Sequence, residues 1–205
     1  MAIHAGSLHA RPGLPRLIGG LFAIGSLCFL LGPFPGFVQL VGSAADGVVF
    51  FVGSIFFTAA ALLQALEARD QDRLPTLIQF AGTIMFNVDT FRAMKVAISN
   101  PDVNRLVWAP EAVGSACFLI SGWMAYRAVR GWRRSAAGRE RLEWRIAAVN
   151  LLGCVLFVIS TIGGYAVPDE GDVLSLAAAN FGTAAGALCF LIGAVWLARS
   201  SSPAE

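Results

Sequence analysis

Charged residues are scarce in this 205-residue sequence: Asp, Glu, Lys and Arg make up 14% of it, whereas 57% of the residues are hydrophobic. Soluble domains carry about 25% charged and about 45 to 50% apolar residues. The shortage of charge argues against a disordered chain, a soluble enzyme and a nucleic-acid-binding protein. A net charge of +2 is also too small to indicate a polyanionic partner. The composition is that of a protein surrounded by lipid.

Histidine and cysteine are too few, or too widely spaced, for most catalytic and metal sites. His4 and His9 are the only histidines, and both precede the first apolar run, so no imidazole is available inside the membrane. The four cysteines lie in apolar runs without a C-x-x-C pair, which disfavours a disulfide framework, a metal site and a thiol oxidase. P-loop and kinase motifs are missing. We therefore expect no enzyme, no cofactor and no metal.

Long apolar runs are what the sequence has in abundance. A run of about 18 or more apolar residues can cross a bilayer as a helix. Six such runs occur, separated by turn-rich or charged segments, so we predict an all-α bundle of six transmembrane helices in one transmembrane domain over residues 1–205. The predicted hairpins cover 14–66, 77–129 and 146–197. The predicted helices are 14–31, 48–66, 77–98, 109–129, 146–167 and 176–197.

The distribution of arginine predicts the orientation, because bases in short loops stay in the cytoplasm. With both chain ends inside, twelve of the 15 bases fall on the cytoplasmic side and three on the other. The tails 1–13 and 198–205 are therefore predicted to be cytoplasmic. The acidic loop with Asp169, Glu170 and Asp172 is predicted to be external, in a bacterial inner membrane.

Seven arginines lie between Arg127 and Arg145, in the predicted fourth loop. Basic residues beside an anionic leaflet contribute on the order of 1 kcal/mol each. Topology and lipid anchoring explain the cluster more simply than a specific regulatory site does. The residues expected to contact anionic headgroups are Arg130, Arg133, Arg134, Arg139 and Arg141.

Every predicted helix contains a glycine followed four residues later by a phenylalanine. Positions i and i+4 share a helix face, so each glycine makes a notch beside a large ring. Small residues let helices approach closely in lipid, where packing holds them together. We interpret this signature as a packing code produced by internal duplication, rather than as a cofactor site. The signature glycines are Gly25, Gly53, Gly82, Gly114, Gly153 and Gly186.

Two repeat periods fit the signature. Residues 23–31 (AIGSLCFLL) match 112–120 (AVGSACFLI) at six of nine positions, which favours two inverted halves of three helices, as in some transporters. The glycine spacings within hairpins, 28, 32 and 33 residues, favour three hairpins of the same orientation. The sequence leaves both arrangements open.

The hairpins also resemble a known family. The first carries IGSLCFLLGPFPG and then FFVGSIFF, and in this it resembles the YrhK-like family of small bacterial membrane proteins, whose two-helix unit has IGS-x-x-F in each helix. The segments NLLGCVLF and NFGTAAGALCFLIGA near the C-terminus are similar, with Cys154 where the family has serine. The middle of the chain, FAGTIMFNVDTF to AVGSACFLI, is similar as well. The resemblance implies a bacterial integral membrane protein and no particular activity.

Asp89 is the one acidic residue well inside an apolar run. A charged residue near the bilayer centre costs about 2.5 to 3.5 kcal/mol on insertion scales, so Asp89 calls for a partner or a function. Arg92 lies on the same helix face and can pair with it. Asn87 lies two residues before it.

A row of polar residues stands three positions before the signature glycine in the last four predicted helices: Gln79, Glu111, Asn150 and Thr183. The row could line a polar path together with Asp89, but interhelical hydrogen bonding is the simpler explanation. The candidate ion or polar site comprises Asp89, Asn87, Arg92, Gln79, Glu111 and Asn150.

The function expected from these observations is non-catalytic. We expect a structural, assembly or partner-binding role, with lipid, a second copy of the chain or another membrane protein as partner. The alternative is a small transporter or channel in which the Asp89 carboxylate binds or couples a cation.

Overall fold

The protein is described by a computed structural model covering residues 13–68, 72–168 and 170–200. The predicted cytoplasmic tails lie largely outside these residues. Within them the fold is almost entirely helical, with seven α-helices. They are α1 (Leu14–Leu31), α2 (Pro35–Val41), α3 (Ser43–Glu67), α4 (Arg73–Ala93), α5 (Ala109–Val129), α6 (Gly138–Gly163) and α7 (Leu176–Arg199).

Short elements flank the long helices. A π-helical segment, Asn104–Trp108, leads into α5, and a 3-10 turn, Arg130–Arg134, follows it. Between α6 and α7, the strands β1 (Ala166–Val167) and β2 (Asp172–Val173) form a two-stranded antiparallel ladder. These elements position the ends of the helices.

The six long helices form a closed ring. Each packs on its neighbour in chain order, and α7 closes the ring against α1. Consecutive long helices run antiparallel, since Gly19 near the start of α1 faces Ala194 and Ala198 near the end of α7. The connections from α1 to α3, from α4 to α5 and from α6 to α7 therefore share one end, which we call the acidic end. The end of α3, the start of α4 and the loop 130–137 lie at the other, the arginine end.

In the part of the chain that the structure describes, five helices are long and apolar enough to cross a membrane: α1, α3, α5 with its flanking turns, α6 and α7. This is the make-up of a multi-pass membrane protein. The third predicted span, α4, is long enough but less apolar, because it carries Gln79, Asn87, Asp89 and Arg92. The prediction of six apolar spans therefore exceeds the five that meet this measure.

The end of α4 differs from the sequence prediction. The helix was expected over 77–98 but ends at Ala93. The amides of Lys95 and Val96 both donate to the Arg92 carbonyl, which closes the helix in a turn. The apolar run of the sequence thus continues past Ala93, where the α-helical hydrogen bonds end.

Helices α3 and α6 begin earlier than expected, at Ser43 and Gly138. At α3, Gly42 adopts a φ of 82°, which a glycine tolerates readily and which redirects the chain into the helix. At α6, an extra polar stretch extends the helix beyond its apolar run, and the helix ends at Gly163 rather than at residue 167.

The signature glycines face each other in pairs within each hairpin. A Cβ added at Gly25 would lie 2.7 Å from the Phe57 ring and 2.9 Å from the Gly53 carbonyl oxygen, and one added at Gly53 would lie 3.0 Å from the Phe29 ring. The same reciprocal contact joins α4 to α5 and α6 to α7. The other glycine pairs are Gly82 with Gly114 and Gly153 with Gly186.

The phenylalanines of the signature fill the centre of the ring in two triangles. One triangle comes from α1, α4 and α6, with ring centroids 5.9 to 6.4 Å apart, and the other from α3, α5 and α7, with centroids 6.0 to 6.4 Å apart. Within each hairpin the two rings are 5.1 to 5.7 Å apart. This phenylalanine cluster consists of Phe29, Phe86 and Phe157 and of Phe57, Phe118 and Phe190.

Candidate functional site

A cavity of about 550 Å³ opens at the acidic end of the ring. All six long helices line it, and its floor is the first triangle of the phenylalanine cluster. We call it the acidic cavity, because three carboxyl groups line it and no lysine, arginine or histidine does among the described residues. Its polar lining comprises Ser43, Asp46, Asp89, Thr90, Glu111, Ser160, Asn180 and Thr183.

Asp89 is the most deeply buried of the three carboxyl groups. It lies four residues before the end of α4 and is only 9% exposed. Within the described part of the chain, its carboxylate accepts no hydrogen bond and has no cation within 4 Å. A carboxylate in this position retains an uncompensated charge or takes up a proton or a cation.

Arg92 does not form the predicted pair with Asp89. Its Nη1 donates instead to the Leu106 carbonyl at 3.1 Å, which ties the end of α4 to the π-helical segment. The other nearby base, Lys95, lies over the Phe91 ring at 5.2 Å from its centroid. The bases at this end are therefore held outside the acidic cavity.

Glu111 reaches the acidic cavity from the first turn of α5. Its carboxylate accepts a hydrogen bond from the Thr161 hydroxyl at 3.1 Å. That hydroxyl also lies 2.8 Å from the hydroxyl of Ser115, and Trp108 donates to the Thr161 carbonyl at 2.8 Å. Glu111 is thus held in place and lies close enough to Asp89 for their charges to repel.

The predicted polar row is divided between the two ends of the ring. Glu111 and Thr183 line the acidic cavity, but Gln79 and Asn150 lie on the far side of the phenylalanine cluster. The division arises because α5 and α7 run away from the acidic end whereas α4 and α6 run towards it. The same sequence position, three residues before the signature glycine, therefore places polar side chains at both ends of the bundle.

Asn87 lies at the interface of α3 and α4 and not in the acidic cavity. Its Nδ2 donates to the Thr58 hydroxyl at 2.9 Å, and its Oδ1 is buried without a partner among the described residues. Of the predicted polar site, the structure thus brings only Asp89 and Glu111 together.

Sequence reasoning missed Asp46 and the phenylalanine floor. Asp46 lies in the first turn of α3, ahead of the predicted start of that helix, and its Oδ1 is buried without a partner in the described structure. An Asp just before an apolar run is a helix N-terminus signal that could have extended the prediction. The phenylalanines were interpreted only as packing residues.

The arrangement suits a positively charged ligand better than a metal ion. No group of three or more His, Cys, Asp or Glu residues within the described ranges could hold a metal. The acidic cavity offers carboxylates in its walls and aromatic rings on its floor, the two kinds of group that bind organic ammonium ions.

Comparison with known proteins adds no relative. No protein-family model matches the chain, and no curated protein or solved structure matches it either. The resemblance to the YrhK-like family stays a prediction from the sequence.

Proposed function

We propose that the chain is a non-catalytic integral membrane protein that binds a small organic cation in the acidic cavity. The observation that carries this proposal is Asp89, a carboxylate nine-tenths buried that faces an open space and has no basic neighbour among the described residues. Burial of such a group is costly unless a positive charge compensates it. A bound cation supplies that charge.

The size of the acidic cavity supports an organic ligand. Small-molecule sites measure about 300 to 1,000 Å³, and this one measures about 550 Å³. Cation–π contact with a ring contributes about 0.5 to 2 kcal/mol, so Phe29, Phe86 and Phe157 favour an ammonium group over a hydrated metal ion.

The protein is proposed to cross the membrane six times, with α4 as the third span. The polar residues Gln79 and Asp89 of α4 are buried in the bundle, whereas Leu74, Leu77 and Ile84 are exposed. A helix that turns its polar side inwards and its apolar side outwards fits among lipid-facing neighbours. Its contacts with α3 and α5 on either side support the same placement.

The proposed location is a bacterial inner membrane with both chain ends in the cytoplasm and the acidic cavity open to the outside. The exposed loop at the arginine end would lie against anionic headgroups, where each base adds about 1 kcal/mol. The exposed arginines are Arg130, Arg133 and Arg134 in the loop and Arg139 and Arg141 at the start of α6.

Three hairpin repeats are the proposed internal organisation, as expected of a YrhK-like chain. The support is the reciprocal glycine–phenylalanine contact within each hairpin. A second correspondence joins neighbouring hairpins: Ser54 lies 3.1 Å from Thr90, and Ser115 lies 2.8 Å from Thr161 at the equivalent positions. In the third hairpin Ala187 stands where these serines do, so the threefold pattern is incomplete.

Titration calorimetry in lipid nanodiscs tests the binding proposal with choline as probe. Its neutral analogue 3,3-dimethylbutan-1-ol has the same shape without the charge. We expect choline to bind and the analogue to bind at least about tenfold more weakly, since a close pair of opposite charges can contribute about 1.5 kcal/mol or more to binding.

The matched variants are Asp89→Asn and Asp102→Asn. Asp102 is an exposed carboxylate at the same end that does not line the acidic cavity. Asp89→Asn should weaken choline binding at least about tenfold and Asp102→Asn should leave it unchanged. Equal binding of choline and its neutral analogue would refute the proposal.

A further inference from the structure

A second buried polar layer lies on the far side of the phenylalanine cluster. Gln79 and Asn150 precede Phe86 and Phe157 by seven residues, which places them on the same helix faces and about 10 Å nearer the arginine end. They are 5% and 1% exposed. Gln79 Oε1 and both amide atoms of Asn150 have no hydrogen-bond partner within the described residues.

This layer has polar groups in excess of what packing requires. Buried amides are normally satisfied by protein or by ordered water. A space of about 10 Å³, lined by Gln79, Cys154 and four phenylalanine rings, offers room for about one water molecule. The Gln79 amide also donates to Gln64 Oε1 at 3.4 Å, so a second buried amide belongs to the same layer.

The phenylalanine cluster is thus bracketed by polar groups on both sides. Glu111 and Thr183 lie above it in the acidic cavity, and Gln79 and Asn150 lie below it. Among the described residues, hydrogen bonds satisfy the amides below the cluster only in part, although Gln79 donates to Gln64. A pathway across a membrane needs polar groups on each side of its barrier.

We propose that the phenylalanine cluster is a gate between the acidic cavity and the Gln79–Asn150 layer, so that the protein transports the cation it binds. The amides of this layer are neutral polar groups on the path beyond the gate. The ligand class rests on the proposed function, whereas the gate does not.

The geometry of the phenylalanine cluster suits a gate. Each hairpin contributes one ring to each triangle, so movement of one hairpin relative to the other two separates rings in both layers at once. Helix interfaces with small residues permit such sliding.

Cys154 is a native probe of the gate, because it lines the small space beside Gln79, beyond the gate, and is 3% exposed. The other cysteines, Cys28, Cys117 and Cys189, rest their Cβ atoms on signature glycines, so replacement by alanine retains those contacts. With these three cysteines replaced by alanine, Cys154 is the remaining thiol. The probe is 2-(trimethylammonium)ethyl methanethiosulfonate, a choline-like reagent that modifies thiols. Mass spectrometry of the protein in nanodiscs measures the rate of modification.

We expect Cys154 to be modified slowly, with the rate rising about tenfold in Phe86→Leu and falling about tenfold in Asp89→Asn or with saturating choline. Phe91→Leu, a change at an exposed ring on the outside of α4, should leave the rate unchanged. Uptake of labelled choline into proteoliposomes should follow the same order. Phe157→Leu replaces Phe86→Leu should the latter not yield folded protein.

An unreactive Cys154 in every variant would overturn the gate and leave a closed core. A modification rate that is the same in Phe86→Leu, Asp89→Asn and the wild type would also overturn the gate, because the reagent then reaches Cys154 by another route. The two proposals fail separately: choline binding with an unreactive Cys154 refutes the gate alone. Accelerated labelling in Phe86→Leu without choline binding refutes the ligand class alone.

Discussion

Asp89 and Glu111 reach one cavity from opposite ends of their helices. Asp89 lies in the last turns of α4 and Glu111 in the first turn of α5, on either side of a loop held by Arg92 and Asn104. Two carboxyl groups in a water-poor space repel each other, so a single positive charge between them relieves both the repulsion and the burial cost.

Thr161 positions Glu111, and its substitution should weaken the α5–α6 interface. Thr161→Val removes the hydrogen bonds to Glu111 and Ser115, each worth about 0.6 to 1.7 kcal/mol in a membrane. We expect a lower melting temperature in detergent and weaker choline binding. Ile162→Val, at an exposed neighbouring position, is the control and should change neither. A stable variant with unchanged affinity would contradict the role of Thr161.

At the scale of the helices, close packing depends on the paired glycines. Gly25 should not accept a side chain, because a Cβ there would lie 2.7 Å from the Phe57 ring and 2.9 Å from the Gly53 carbonyl oxygen. We expect Gly25→Ala to lower the free energy of unfolding by about 1 to 3 kcal/mol through overpacking. Chemical denaturation in mixed micelles measures it.

Gly20 provides the matched control for that substitution. It lies inside α1, and a Cβ there meets nothing within 4 Å. Gly20→Ala should raise stability by up to about 1 kcal/mol, because alanine favours helix. Equal effects at both glycines would mean that helix propensity, and not the notch, decides their role.

Asn104 fastens the π-helical segment to the loop between α6 and α7. Its Nδ2 donates to the Ala166 carbonyl at 2.7 Å, and its Oδ1 accepts from the Ala166 amide at 3.0 Å. Asn104→Ala should therefore speed amide hydrogen exchange at Ala166 about tenfold or more. Exchange within the middle of α6 should not change. Unaltered exchange at Ala166 would show that β1 is held by other contacts.

The signature predicted the packing of elements well and the site only in part. The position of Gly and Phe four residues apart is enough to place a notch beside a ring, and the structure fills each notch from the partner helix. The acidic cavity depends on which helices run in which direction and on where they end. The polar row separates for that reason, and Asp46 joins from a helix start that apolar character does not mark.

The long helices form a ring with the acidic cavity at one end and most of the arginines of the described residues at the other. The apolar runs revealed the long helices, although α4 lacks the apolarity of the other five. The polar residues Gln79 and Asp89 of α4 face the interior of the bundle. The mean hydropathy of α4 is therefore lower than that of the surface it would present to lipid.

Single-cysteine labelling in a background without native cysteines tests whether α4 crosses the membrane. Ala68→Cys and Asn100→Cys lie beyond its two ends. If the protein has six spans, a membrane-impermeant thiol reagent should label Ala68→Cys only from the cytoplasmic side and Asn100→Cys only from outside. Labelling of both from one side would contradict the third span.

Thermal unfolding of the wild type and of Asp89→Asn, each with and without choline, tests the central claim most directly. Because Asp89 has no cationic partner among the described residues, the substitution should leave the empty protein equally stable or more stable. Choline at 100 times its dissociation constant should stabilise the wild type by about 2.7 kcal/mol and the variant hardly at all. A less stable Asp89→Asn, with no choline effect on either protein, would make Asp89 a structural residue and contradict the account.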